Sequence, residues 1–499
     1  MELFITVLTL LAAIYAVVPR ERQLDLRLRI RTFDWVIFAF GSLVILYLEF
    51  FAFCEARGWV ITSRQWPEGI TPQNTIYLVL LGMTIILALR VKFAKLTPKN
   101  IFKFRELVLE LYWSKSYAEL FAIIQKHIQQ LVRIQNDDFA FARIRRHLTP
   151  SVRFILKGFD FTSSVGNPKK VGAKQRAIEK AYRVLRLRPL STVLLHVLPD
   201  HGREQNAAQE LMRSVFFSAR FLEALATTRP YLGLDIIQST QSFEKNDFTE
   251  LYIKQLLREP QSVLYLELQN NQQMTAPGRY VINESNSILS YFLSDASIAR
   301  RLNVWKPVGD FMQDHLDEMA RDHENDPYNR AHDEDEVWRS PLFAGVHFFD
   351  IMVKEALFQG IDWHMWLFYM PAVVKRIARN YRVCDPLADE SVEFPIQYSF
   401  LLYEIFSRMR EWILTMRAIP PGQTNVVLER SDTELENGNI PKSSIIALCD
   451  SAYSVLESPN LGQRVKKTLI NMIFGVYFEL RESHLDGYAS VLLSALGRL

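Results

Sequence analysis

The sequence predicts a mainly α-helical protein with three N-terminal transmembrane helices and a large helical cytoplasmic domain. Apolar stretches crowd the first ninety of 499 residues, and the remainder follows helical spacing with Pro or Gly near many helix ends. The chain is 49% hydrophobic and 23% charged, with a mean hydropathy near zero. This composition fits a small membrane module joined to a larger polar part.

The apolar stretches predict spans at residues 3–18, 35–54 and 74–89. A bilayer core needs about 17–25 apolar residues per helix, so the second stretch meets this length and the others lie at its lower edge. Basic residues follow the first and third stretches, which predicts an outside N-terminus and a cytoplasmic C-terminal domain at a bacterial-type inner membrane. The first stretch lacks a basic start and a small-residue cleavage site, so we expect an uncleaved span.

Hydropathy and charge along the sequence divide the chain into a membrane module at 1–92, a basic helical region at 93–330 and a C-terminal helical region at 331–499. A helical hairpin is predicted over 99–135. Residues 191–198 and 279–282 look extended, 321–339 reads as an exposed acidic loop, and 419–442 as a solvated linker. Further helices are predicted at 204–226, 247–269, 284–293, 307–320, 341–358, 363–380, 395–418, 443–457, 462–482 and 487–496.

A strongly basic stretch at 143–190 contains a loop-like segment with four cations, Lys169, Lys170, Lys174 and Arg176. These cations fit a solvated surface, a contact with anionic lipid headgroups or a contact with nucleic acid. Nucleic acid is not favoured, because no interleaved aromatic pattern accompanies the charge.

An acidic stretch at 310–336 carries eleven Asp and Glu against Arg321 and Arg330. It fits a solvated loop, a partner for the basic stretch, or a cation site with oxygen ligands. Its spacing does not match an EF-hand loop, so a solvated loop is the favoured interpretation.

Two histidine groups are candidate metal ligands: His196, Asp200 and His201 in one, and His332-Asp333 in the other. Imidazole and carboxylate suit Zn, Fe or Mn, but the spacing is not diagnostic, and no cofactor is predicted. The three cysteines are too scattered for a disulfide framework or a zinc cluster.

Glu49 is the one ionisable residue inside the second apolar stretch. A carboxylate in such a position favours an ion path or a packing contact. The neighbouring aromatic residues Tyr47, Phe50 and Phe51 favour a position in the membrane interface instead.

The chain lacks the phosphate-loop, dinucleotide-binding, nucleophile-elbow and His-Glu-x-x-His patterns, which disfavours an enzyme. We expect a membrane-anchored helical sensor or scaffold that binds the bilayer and a cytoplasmic protein partner, forms a homo-oligomer, and in a narrower version acts as a membrane effector of stress or antiviral defence. One alternative is a membrane-tethered, metal-dependent phosphohydrolase or nuclease. Another is an oligomeric ion-conducting pore.

Overall fold

A computed structural model describes most of the chain as helix, which confirms the predicted mainly α class. The chain forms two compact units, Met1–Phe216 (unit 1) and Phe217–Leu499 (unit 2). The predicted domain limits at 92 and 330 stay predictions. The described residues are 9, 19–29, 32–59, 71–93, 96–136, 201–240, 244–275, 278–322, 325–361, 365–385, 387–389, 391–418, 440–483 and 485–497.

Unit 1 combines an apolar helical hairpin with a small bundle of amphipathic helices. A 3-10 turn at Pro98–Asn100 precedes the bundle, and a π-helical turn at Met212–Phe216 ends it. The helices are α1 (Arg20–Arg29), α2 (Thr32–Glu49), α3 (Phe51–Ala56), α4 (Pro72–Phe93), α5 (Ile101–Trp113), α6 (Tyr117–Gln135) and α7 (Gly202–Leu211).

Helices α2 and α4 pack against each other along a narrow apolar seam. Ile45 and Leu48 of α2 meet Ile76 of α4, while Gly41 lies against the thioether of Met83. Because the later residue of α2 pairs with the earlier residue of α4, the two helices run antiparallel. We call this pair the apolar hairpin.

The predicted spans stay predictions. Within the described ranges, no helix combines the length and the apolar character needed to cross a bilayer. The span at 3–18 lies outside those ranges apart from Thr9, and the stretch at 35–54 is interrupted at Phe50, between α2 and α3.

The helical hairpin predicted at 99–135 is confirmed as α5 and α6. The turn between them contains Lys115 in the left-handed conformation, with φ of 58°. Helix α7 joins the pair through a salt bridge of 2.9 Å from Arg105 to Glu210 and a hydrogen bond from the amide of Gln205 to the carbonyl of Gln135.

Unit 2 is a helical assembly whose described residues include a short antiparallel hairpin, in which β1 (Met274–Thr275) pairs with β2 (Arg279–Tyr280). Further 3-10 turns lie at Pro327–Asn329, Glu334–Arg339, Met365–Phe368 and Thr415–Ala418. The helices are α8 (Ala219–Thr228), α9 (Pro230–Ser239), α10 (Glu244–Arg258), α11 (Val263–Asn270), α12 (Ser287–Leu293), α13 (Ala296–Leu302), α14 (Trp305–Met319), α15 (Pro341–Phe358), α16 (Tyr369–Asn380), α17 (Gln397–Leu414), α18 (Ile440–Glu457), α19 (Gln463–Arg481) and α20 (Asp486–Leu496).

The acidic loop predicted as exposed at 321–339 is wrong in its middle part. Asp326, Tyr328 and Asn329 are almost completely buried. The Asp326 carboxylate accepts a hydrogen bond of 2.9 Å from the hydroxyl of Tyr398, and the amide of Asn329 donates to the carbonyl of Asn380. These long-range bonds satisfy the polar groups that would otherwise keep the segment in water.

Helix α15 lies at the centre of unit 2. Every residue from Leu342 to Leu357 is buried, as expected of a helix that is apolar on all sides. The Ser340 hydroxyl caps its start by accepting a hydrogen bond from the amide of Phe343, and Pro341 occupies the first turn. Gly360 follows its end with φ of 64°, the left-handed conformation that commonly terminates helices.

Candidate functional site

Helix α15 carries ionisable side chains into the core of unit 2, where they meet charged and aromatic residues from β2 and α17. Such groups are rarely buried unless each has a partner. We call this group the buried ionic cluster; its members are Tyr280, Asp350, Lys354, Arg408, Glu411 and Trp412.

The Asp350 carboxylate is the centre of the cluster and is fully buried. It accepts hydrogen bonds of 2.5 Å from the hydroxyl of Tyr280 and 2.7 Å from the indole nitrogen of Trp412. The ammonium of Lys354 lies 3.4 Å from this carboxylate and the guanidinium of Arg408 lies 3.3 Å from it. Two cations and two neutral donors therefore compensate one buried anion.

Lys354 is buried beside the ring of Tyr280, with its Nζ atom 4.8 Å from the ring centroid. Its ammonium also donates to the Glu411 carboxylate at 2.6 Å. The cation thus bridges two carboxylates, one on its own helix and one on α17. It couples α15 to α17 through charge as well as through apolar packing.

Arg408 extends the cluster along α17 through an ion pair of 3.1 Å with Glu404. Burial alone would lower the pKa of Arg408, but the surrounding carboxylates, Asp350 foremost, outweigh burial and raise it. Burial raises the pKa of Glu404, against the opposing effect of Arg408. The pKa of the Tyr280 hydroxyl is raised by burial and then by the charge of Asp350. Tyr280 is therefore a hydrogen-bond donor at neutral pH.

A second ion pair attaches β2 to the same helix. The Arg279 guanidinium makes hydrogen bonds of 3.0 and 2.7 Å to the two oxygens of the buried Glu355 carboxylate. The Gln359 amide donates to the same carboxylate at 3.0 Å. This two-pronged geometry orients the β-hairpin over the ionic cluster.

His347 and Asn271 differ from the rest of the site because their side chains lack hydrogen-bond partners among the described residues. Both ring nitrogens of His347 and both amide atoms of Asn271 are buried and unsatisfied. The imidazole lies among aromatic rings, with centroid distances of 5.5 Å to Tyr280, 5.5 Å to Trp338 and 6.3 Å to Phe343.

Burial lowers the pKa of His347 to about 4, while the nearby charge of Asp350 and the backbone of Asn271 act in the opposite direction. The ring is therefore neutral at pH 7 and offers one donor and one acceptor. With the Asn271 amide, it forms a small group of unsatisfied polar atoms beside a compensated charge cluster. Buried water commonly occupies positions of this kind.

The sequence-predicted candidates lie elsewhere. His196, Asp200, Lys169, Lys170, Lys174 and Arg176 fall outside the described residues, as does the extended segment at 191–198. His201 is half-buried at the start of α7.

The second candidate pair is engaged in contacts with α17. The Nδ1 atom of His332 lies 3.2 Å from the amide oxygen of Gln397, and its ring stacks on Phe400 at 4.5 Å. The Asp333 carbonyl accepts a hydrogen bond from the same amide. In the part of the chain that the structure describes, no three His, Cys, Asp or Glu side chains converge as metal ligands. The metal candidates and the absence of a cofactor stay predictions.

Acidic residues of the stretch at 310–336 pair with cations on α14 itself and on neighbouring helices of unit 2. Asp310 lies 3.3 Å from the Lys306 ammonium and 3.7 Å from that of Lys254. Asp317 pairs with Arg376 at 3.1 Å. Part of the acidic charge is thus compensated inside unit 2.

The sequence analysis did not predict the buried ionic cluster, although charged residues inside an apolar helix indicated it. Asp350, Lys354 and Glu355 interrupt a helix that has no polar face to receive them. Charges in such a helix must find partners in the core.

Comparison with family models, with curated proteins and with solved structures gave no match for this chain.

Proposed function

We propose that the protein is a membrane-anchored helical scaffold or sensor, in which unit 1 attaches the chain to a bilayer and unit 2 binds a protein partner. The observation that carries this proposal is the outer surface of the apolar hairpin. Its exposed large apolar residues are Trp35, Val36, Phe40, Leu43 and Leu46 on α2, and Tyr77, Leu78, Leu81, Ile85, Ile86 and Leu89 on α4.

Among the described residues, the apolar hairpin exposes more large apolar side chains than it buries between its two helices. Phe40 is 69% exposed and Leu43 is 64% exposed, while the buried apolar residues among those described between the two helices are Ile45, Leu48 and Ile76. Contiguous apolar surface of this kind commonly marks a contact with a membrane or a protein. The 22 residues of α4 extend for about 33 Å, comparable with a bilayer core.

Aromatic residues at the tip of the hairpin support a lipid contact. Phe50, Phe53 and Trp59 are exposed there, and the Arg57 guanidinium lies 5.6 Å from the Phe53 ring centroid. Aromatic and basic side chains together are typical of the membrane interface. Glu49 is exposed at the same end, the last residue of α2, which favours an interfacial position over an ion path.

A partner surface on unit 2 is supported by aromatic residues on α19. Phe474 and Phe478 lie one turn apart and both are exposed, and the Arg481 guanidinium stacks over Tyr477. Aromatic and arginine side chains are enriched in protein interfaces. We propose this surface for a cytoplasmic protein or a second copy of the chain.

We propose three further features of this protein. They are three spans with the N-terminus outside, unit 2 in the cytoplasm of a bacterial-type cell, and a role as a membrane effector of stress or antiviral defence. The defence role is supported by the two-part architecture alone, which is an argument by analogy.

Alkaline carbonate extraction of membranes tests the anchor. We expect the full-length protein to stay in the pellet and the variant L43K/L81K to be extracted. Both leucines are exposed and lie outside the hairpin core, so a charge there opposes lipid more than folding.

The matched control is L266K/L493K, which places two charges on exposed leucines of unit 2 and is expected to stay in the pellet. Release of the unmodified protein by carbonate would contradict the anchor. Retention of the hairpin variant at the level of the control would contradict it equally.

A further inference from the structure

Helix α1 is fixed against α6 by a buried carboxylate. Asp25 is buried, and its two oxygens meet the Lys126 ammonium at 2.7 Å and the Nε2 atom of His127 at 2.8 Å, both on α6. Leu24 and Leu28 are buried on the same side of α1. The helix therefore has a defined inner face and a defined orientation on the bundle.

Contacts at both ends of α1 maintain that orientation. At its end, the Asn100 amide donates a hydrogen bond of 3.1 Å to the carbonyl of Leu28. At its start, Arg20 lies 3.9 Å from Glu119 of α6 and remains largely exposed. The rotation of α1 about its axis is thus set by three separate attachments.

The face of α1 turned away from the bundle carries cations. Arg22 and Arg27 are exposed there, on either side of the half-buried Leu26, and Arg20 is exposed at the edge of this face, where it also lies near Glu119. Lys99, next to the Asn100 contact, and Lys103 on the following turn are also exposed. Exposed cations next to a membrane-inserted segment attract anionic phospholipid headgroups.

Helix α1 lies beside the base of the apolar hairpin. Helix α2 begins three residues after α1 ends, and α1 contacts α4. Because α2 and α4 are antiparallel, the start of α2 and the end of α4 share that base. Cations that border an apolar surface are positioned where headgroups border acyl chains.

We propose that α1 is an interfacial helix whose face of Arg20, Arg22 and Arg27 binds the headgroups of anionic phospholipids. The inference rests on the proposed membrane attachment and names its lipid partner. The Asp25 contacts with α6 hold these positive charges toward the lipid, and positive charge near the surface attracts anionic headgroups.

Native mass spectrometry of the full-length protein in detergent, with equal phosphatidylglycerol and phosphatidylcholine added, tests this inference. We expect preferential retention of phosphatidylglycerol. Each Arg→Gln change should reduce the preference about fivefold, and R20Q/R22Q/R27Q should reduce it about a hundredfold, which abolishes it. The control R220Q/R229Q/R301Q removes three exposed arginines of unit 2 and should retain the preference.

A second variant tests whether positive charge at these positions, rather than a change in folding, determines the lipid preference. R20K/R22K/R27K keeps three cations and should keep most of the preference. Loss of the preference in this variant, an unchanged preference in the Gln variant, or abolition of the preference by inorganic phosphate would each overturn the inference.

Failure of the membrane anchor is distinguishable from failure of this inference. In the first case carbonate releases the protein. In the second the protein stays in the membrane but retains both lipids equally.

Discussion

At the scale of single residues, His347 is the clearest departure from a satisfied core. Its two ring nitrogens are buried and make no well-formed hydrogen bond to a described residue, and its pKa of about 4 lies well below the ordinary 6.5. Between these two pH values the unfolded chain binds a proton that the folded chain does not. The free energy of unfolding therefore falls as pH decreases through 6.5, and this loss is complete below pH 4.

The variant H347F tests this effect, because a phenyl ring preserves the aromatic surroundings and cannot be protonated. We expect the stability advantage of H347F over the unmodified protein to be larger by about 3 kcal/mol below pH 4 than at pH 7. Chemical unfolding of the full chain at a series of pH values, monitored by near-UV circular dichroism, measures this difference.

The control N271L removes the neighbouring unsatisfied amide without removing a titrating group. Its difference from the unmodified protein should not vary with pH over the same range. A pH-independent difference for H347F would show that the imidazole does not titrate as burial requires.

The sequence alone predicts few of the side-chain contacts in the candidate site. Adjacency in the chain selected His332 and Asp333, whose described contacts are with Gln397 and aromatic rings. The carboxylate of Asp350 instead receives a donor from Tyr280, 70 residues earlier in the chain. Such long-range pairs depend on tertiary packing, which no local spacing can supply.

At the scale of elements, local chemistry determined several helix limits. Helix α15 spans the predicted residues 341–358, because a serine cap with a first-turn proline starts it and a left-handed glycine follows its end. The single helix predicted at 247–269 is wrong, because the chain turns between Arg258 and Val263, at Pro260. Proline there removes a helical donor and crowds the preceding turn.

The coupling of α15 to α17 through Lys354 provides an element-scale prediction. K354M removes the cation that bridges Asp350 and Glu411, leaving the buried Asp350 carboxylate with one fewer counter-charge. We expect a loss of about 3 kcal/mol in the stability of unit 2, because breaking a buried ion pair typically costs about 3–5 kcal/mol. Thermal unfolding of the full chain measures it.

The matched control K375M changes an exposed lysine on α16 and should alter stability by less than about 0.5 kcal/mol. Equal effects of the two variants would mean that the cluster contributes no more to the coupling of α15 and α17 than a surface charge.

At the scale of the whole molecule, helical spacing is enough to predict the fold class, while the domain limits at 92 and 330 stay predictions. The boundary between Phe216 and Phe217 follows from contacts between residues that are distant in the chain. The apolar stretches at 35–54 and 74–89 were visible in the sequence. Their antiparallel seam depends on which side chains face each other, and this required the structure.

The most direct test of the account is the accessibility of the hairpin surface in intact membranes. In a background of C54S, C384S and C449A, single cysteines are introduced by L43C on the hairpin and by L387C at a highly exposed position of unit 2. Both are treated with a membrane-impermeant maleimide in membranes opened to both faces. We predict rapid labelling of L387C and labelling of L43C only after detergent is added. Equal labelling of both positions before detergent would contradict the membrane anchor.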